Sequence, residues 1–204
     1  MNSLTLKRMK EVVGQLKVVE SELVSSYEEV YIGKKVYKVT LADGSTRLCE
    51  QITKKKEKGD AVVIIPITVD GNFLMILQSR PNAKDTVVAE FPAGMVDKGE
   101  SNKESAEREL LEETGYEAEE LYELEWHYQD QGCSQAIITT YVATGCRKVR
   151  EKKLDGGERL EYFELSYDDI LDMIRNTSPI PAEISDANTK IAFMTYTMKE
   201  KGLL

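Results

Sequence analysis

Residues Ala61 to Thr68 read Ala-Val-Val-Ile-Ile-Pro-Ile-Thr, an almost unbroken apolar run between Gly59-Asp60 and Asp70-Gly71. A strand that alternates polar and apolar residues has one wet face, whereas a strand of this composition has none and must be covered on both sides. Its β-branched side chains favour extended backbone. The run predicts a central strand, and in a chain of 204 residues it can be covered only by layers packed around a single core.

The flanking sequence supplies those layers. Asp70-Gly71 turns the chain into a second strand from Phe73 to Gln78. Upstream, Val36 to Leu41 and Thr46 to Ile52 flank Asp43-Gly44, a dipeptide that favours the primed turn between antiparallel strands, and Met9, Val12, Val13 and Leu16 recur at helical spacing before them. Downstream, Ser101-Asn102-Lys103-Glu104 has the form of a capping box and Gly115 stands where a left-handed cap would stop a helix. Ala136 to Ala143 and Leu160 to Leu165 read as strands, and Ser166 to Arg175 and Asp186 to Lys201 as helices. The expected architecture is an α/β/α sandwich with a mixed sheet, preceded by a small N-terminal β element. Residues 1–58 hold the N-terminal helix and that element, and residues 59–204 hold the main domain.

Composition excludes several functions. A net charge of -9 works against capture of DNA or RNA, which needs a basic face. The basic runs Lys54 to Lys58 and Arg147 to Lys153 are short and interrupted by acid, so they read first as solvated loops, with a place for the former near a substrate phosphate as the alternative. No stretch reaches the roughly 18 to 20 apolar residues of a membrane span, and Met1 to Glu20 is too charged for a signal peptide, so a cytoplasmic protein is expected. Three cysteines without C-x-x-C spacing, and His127 as the single histidine, argue against a disulfide framework or a zinc centre.

The helix after Ser101 carries the chemistry. Glu109, Glu112 and Glu113 fall within about 100° of arc on one face. Like charges at this spacing repel, and they lie in the half of the helix where the macrodipole also disfavours them. Hard divalent cations want oxygen ligands, and a cation between these carboxylates turns the repulsion into attraction.

Gly94, Glu100, Arg108-Glu109-Leu110, Glu112-Glu113, Gly115 and Tyr116 match the Nudix box at every fixed position, and the chain resembles the Nudix hydrolases. The resemblance implies Mg2+, for which Mn2+ could substitute, held by Glu109, Glu113, Glu112 and the backbone carbonyl of Ala93. It also implies that Arg108 pairs with Glu100 to brace the loop against the helix. Such enzymes cut a pyrophosphate, where a metal neutralises the oxygens and activates a water, and a carboxylate without full metal duty acts as base.

Leu77-Gln78-Ser79-Arg80, Glu90-Phe91-Pro92-Ala93-Gly94 and the N-terminal β element resemble the ADP-ribose pyrophosphatase branch in particular. From that resemblance Arg80 contacts a substrate phosphate, Glu158 is the candidate base with Asp155 and Glu112 as alternatives, and the N-terminal element helps form a homodimer and a nucleoside pocket. Tyr27, Tyr31 and Tyr37 are candidates for an aromatic face against the base, though each taken alone reads first as a strand packing residue. Gln135 stands where the branch carries a carboxylate, which points to looser choice among diphosphate sugars. The expected reaction is metal-dependent hydrolysis of a nucleoside diphosphate sugar, ADP-ribose to AMP and ribose 5-phosphate. The alternatives are another nucleoside diphosphate derivative, a nucleoside triphosphate, or a nucleotide sensor without catalysis, which would tend to have lost box carboxylates.

Overall fold

In the computed structural model, which describes residues 3–16, 31–40, 46–54, 58–83, 87–154, 157–180 and 182–204, fourteen elements follow one another. The chain begins with α1 (Ser3–Leu16), β1 (Ile32–Thr40), β2 (Thr46–Lys54), β3 (Ala61–Thr68), β4 (Phe73–Ser79), β5 (Val87–Glu90) and β6 (Ala93–Met95). It continues through α2 (Asn102–Thr114), β7 (Tyr116–Glu117), β8 (Glu120–Tyr128), β9 (Ile137–Lys148), β10 (Leu160–Leu165), α3 (Tyr167–Ile174) and α4 (Ala187–Glu200).

The apolar run is the central strand. The main sheet has the order β10-β4-β3-β9-β7, with β5 on β4, β6 on β3 and β8 on β9. β3 is parallel to β9 and antiparallel to β4 and β6, so the sheet is mixed. The register against β9 shifts between Pro66 and Thr68, where the proline has no N–H to continue a ladder. Val63 and Ile65 of β3 join one buried cluster with Met75, Phe163, Ile170 and Phe193. Val62 and Ile64 join another with Leu74, Ala106 and Leu110 beneath α2. Each buried Val, Ile or Leu contributes about 1.5–3 kcal/mol, so β3 holds both layers together. α1, grouped by sequence with the N-terminal β element, places Met9 and Val12 in the first of these clusters.

The turn chemistry is visible at Gly71, which adopts a left-handed φ of 79° between the β3 and β4 ends, tied by Thr68 N–H to the Asn72 carbonyl at 2.8 Å. β1 and β2 pair from Ile32↔Lys54 to Thr40↔Thr46 as a separate two-stranded sheet. The Asp43-Gly44 turn lies outside the described residues. The hairpin is joined to the main domain by the Ile52 N–H, which donates to the Cys133 carbonyl at 2.7 Å. On one face of it Gln51 and Thr53 are buried, while Ile32, Val36, Leu48 and Ile52 on the other are exposed. Among the described residues no helix is long and apolar enough to cross a membrane.

Candidate active site

α2 is fixed at both ends before any site residue is considered. Ser101 Oγ accepts from Glu104 N–H at 3.2 Å and the Glu104 carboxylate accepts from Ser101 N–H at 2.8 Å, a cap worth about 1 kcal/mol. Gly115 ends the helix with φ 79° and donates to the Leu111 carbonyl. This rigid helix lies across β3 and β6, which sets Glu109, Glu112 and Glu113 beside the strand that carries Ala93 and Gly94.

Gly94 is glycine for a steric reason. A Cβ built on it would fall within the Glu109 carboxylate, 2.5 Å from even the more distant oxygen, Oε2. Next to it, Ala93 N–H donates to Glu113 Oε2 at 3.1 Å. Glu113 is 2% exposed. Burial raises its carboxyl well above the ordinary range, and the charges of Glu109 and Glu158 add to that, while the Ala93 N–H opposes it. Burial likewise raises Glu109, with Arg108 opposing and Glu112 and Glu158 adding. Glu158, distant in sequence, is therefore close enough to repel both, and it lines the same cavity.

Arg108 is the organising cation. Its Nε and Nη2 bond the two oxygens of Glu100 at 3.0 Å each, and Nη2 also donates to the Met95 carbonyl at 3.1 Å. Nη1 reaches Glu109 at 2.7 Å and Glu112 at 3.2 Å. The fork on Glu100, with Ser105 Oγ donating to the same carboxylate, lowers that carboxyl to about 2. The pairing of Glu100 and Arg108 is thus present, and Arg108 additionally holds two carboxylates of the acidic face.

Ala93, Gly94, Arg108, Glu109, Glu112 and Glu158 border a cavity of about 440 Å³ that also includes Arg80, Glu90, Lys54, Tyr31, Asp186 and Asn188, while Glu100 and Glu113 lie behind its lining. Arg80 Nη2 donates to Glu90 Oε2 at 2.7 Å and its Nε lies 3.2 Å from both oxygens. Burial raises the Glu90 carboxyl against the pull of Arg80. Lys54 Nζ donates to Gln129 Oε1 at 2.8 Å, and burial, followed by repulsion from Arg80, lowers its pKa. Arg80 and Lys54 thus join Arg108 as cations on a cavity otherwise rich in carboxylates. Tyr31 also enters the cavity, with its hydroxyl donating to Met95 Sδ at 2.9 Å.

Not every expected residue meets here. Gln135 lines a separate hollow of about 380 Å³ with Tyr37, Gln51 and Cys133, and Tyr27 lies outside the described residues. Among the described residues no three Glu, Asp, His or Cys side chains converge on a single point, because Arg108 stands between Glu109 and Glu112 and Glu113 is turned to Ala93. The donor set still suits a hard divalent cation: oxygen ligands only, two of them raised in pKa by burial and mutual repulsion that a dication would offset. The sequence reading places Lys54 near a substrate phosphate only as an alternative, quotes Glu90 without a role of its own, and assigns Asp186 no part in the site. The β4–β5 pairing sets Glu90 opposite Ile76, within reach of Arg80, and the signal that could have revealed it is Pro81-Asn82 between the strands, where Ala83 N–H donates to the Arg80 carbonyl at 2.8 Å.

A mixed sheet between helical layers, with an acidic helix laid against a glycine-containing strand and cations on the same cavity, is the arrangement of a class of enzymes that act on phosphoanhydrides. The chain matches the NUDIX domain over residues 57–186 and belongs to the Nudix family of pyrophosphatases. It is 31% identical over 190 residues to an ADP-ribose pyrophosphatase of Bacillus subtilis (strain 168), covering 91% of this chain and 97% of that one. It is 32% identical over 189 residues to a methanol dehydrogenase activator of Bacillus methanolicus, covering 90% and 96%. Its fold is similar to that of a crystal structure described as an ADP compounds hydrolase, with a TM-score of 0.67 at 22% identity over 92% of this chain and 93% of the other.

Proposed function

We propose that the chain hydrolyses the pyrophosphate of a nucleoside diphosphate sugar in a reaction that requires Mg2+ or Mn2+, with ADP-ribose giving AMP and ribose 5-phosphate. The observation that carries this is the cavity that Arg80 and Lys54 border together with Glu109, Glu112 and Glu158, with Glu113 buried close enough to feel the charges of Glu109, Glu158 and Arg80. A divalent cation held by Glu109, Glu112, Glu113 and the Ala93 carbonyl would supply neutralisation of pyrophosphate oxygens and a more acidic water. Arg80 and Lys54 bind the phosphates, and the Tyr31 ring offers an apolar face to the nucleoside. Arg108, held by Glu100, keeps α2 and the Gly94 strand in register while the carboxylates work. Glu158 accepts the proton of the attacking water as a new P–O bond forms and the bridging P–O bond breaks, with carbon–oxygen bonds intact.

The hairpin adds a homodimer to this reading. Two-stranded sheets are marginal alone, and one with Ile32 at 52%, Val36 at 55% and Leu48 at 72% exposure gains stability by laying that face on a second copy. A cytoplasmic location fits its three free cysteines.

The test is a panel of ADP-ribose, other diphosphate sugars, dinucleotides and triphosphates assayed with Mg2+, with products identified in oxygen-18 water. AMP and ribose 5-phosphate with label on a phosphate, abolished by excess chelator, is the expected result. Label on a sugar carbon, or full activity in chelator, refutes it.

A further inference from the structure

Gln129 is the first residue after β8, and its N–H donates to the Ala136 carbonyl at 3.0 Å, which anchors its backbone beside the start of β9. Its side chain is exposed and lines the cavity, so a ligand can reach it. Lys54 Nζ donates to its Oε1 at 2.8 Å. An ammonium has hydrogens to give and no lone pair to receive one, so this contact itself fixes how the amide is turned: oxygen towards Lys54, NH2 group away from it. Among the described residues that NH2 group has no acceptor. A side chain that can both donate and accept is left with hydrogens alone to offer.

Gln129 also stands apart from the groups around the pyrophosphate. Arg80 follows the end of β4 and Gln129 the end of β8, and β3 and β9 lie between those strands in the sheet. Three strand spacings separate the two backbones by at least about 14 Å. Lys54, bonded to Gln129, is still near enough to Arg80 to be repelled by it. A substrate whose phosphates lie at Arg80 therefore reaches Gln129 with the part beyond them. Sugar hydroxyls both donate and accept, whereas the ring nitrogens of a base such as adenine only accept, and they match a group that only donates. The apolar neighbours on the same cavity, Tyr31, Ala61 and Ile138, suit a planar base better than a sugar.

We propose that Gln129 is a specificity-determining residue: with its oxygen held by Lys54, its Nε2 donates to an acceptor ring nitrogen of the nucleobase, adenine in ADP-ribose. The same hydrogen bond that steadies a phosphate-binding cation thereby orients the group that reads the base. This rests on the hydrolysis of a nucleoside diphosphate sugar proposed above.

The test measures KM and kcat with Mg2+ for ADP-ribose and for its 1-deaza, 3-deaza and 7-deaza analogues, each with a C–H in place of one ring nitrogen. For the wild type, KM for one analogue should exceed that for ADP-ribose about 3–10-fold, with kcat moving less than about threefold. Gln129→Glu keeps an oxygen for Lys54 and removes the hydrogens, and Gln129→Met serves as a second variant should the first fail to fold. In either, KM for ADP-ribose should rise at least about threefold, and the penalty on that analogue should vanish. A raised KM with the penalty intact would mean that the substitution acts without touching the base, and an unchanged KM in Gln129→Glu would mean that Gln129 only tethers Lys54; either overturns the proposal. An active wild type that treats all three analogues like ADP-ribose would refute the role of Gln129 alone, whereas a wild type inactive on ADP-ribose would refute the hydrolytic reading and this proposal with it.

Discussion

Gly94→Ala adds one carbon at the tightest point of the site. The backbone of Gly94 is not left-handed, so alanine is conformationally allowed and the effect is purely steric. The new Cβ would stand 2.5 Å from Glu109 Oε2 and closer still to the rest of that carboxylate. An ordinary contact needs about 3.4 Å or more, so the carboxylate must retreat by at least about 1 Å. A misplacement of that size costs about a hundredfold in rate, or about 2.7 kcal/mol in the barrier. Stability should change little. Alanine reduces the freedom of the unfolded chain by about 0.4–1 kcal/mol, offset by a weakened Glu109–Arg108 pair whose side chains are 14% and 26% exposed. The assay is kcat on ADP-ribose with Mg2+, alongside the thermal midpoint. A variant that folds normally and keeps kcat within about threefold of the wild type would refute the close apposition of Gly94 and Glu109.

Glu113→Gln should lower turnover by orders of magnitude and stabilise the cation-free fold, since a buried charge disappears. The raised Glu113 carboxyl contributes stability below its ordinary 4.5 that is lost as pH rises through the higher folded value, so melting of the cation-free wild type should decline across that window and the variant should decline less; equal slopes would count against the burial of this charge. Glu158→Gln should reduce kcat about 10²–10⁴-fold with a small change in KM, and unchanged turnover would return the base to Asp155 or Glu112. Val36→Asp with Leu48→Asp should convert the protein to a species of 23.1 kDa by light scattering at micromolar concentration, and a wild type already of that mass would remove the homodimer.

What the sequence made legible was whatever local chemistry determines. The double-sided burial of β3, the capping box on Ser101 and Glu104 and the left-handed Gly115 follow from residues within a few positions of one another. β8 escaped notice because its charged residues, Glu120, Glu123 and Glu125, and its mostly exposed edge position leave no clear alternation, and a register shift between Glu123 and Glu125 interrupts what there is. The acidic face of α2 was legible as a pattern, but the grip of Arg108 on Glu109 and Glu112 was not, since spacing alone does not say which way a long side chain turns. Lys54 was ambiguous for a related reason: its sequence neighbours are those of a solvated loop, and only the docking of the hairpin brings its ammonium to the cavity.

That docking has a kinetic consequence. β2 carries Leu48 and Ile52 on its exposed face, is tied to Cys133 at Ile52, and two residues later delivers Lys54 to the cavity. Whatever settles on the exposed face restrains the same short strand that aims a cation at the substrate. Under the proposed homodimer, specific activity should then fall on dilution, and changes to the exposed face of β2 should retune the affinity of the site as well as the assembly.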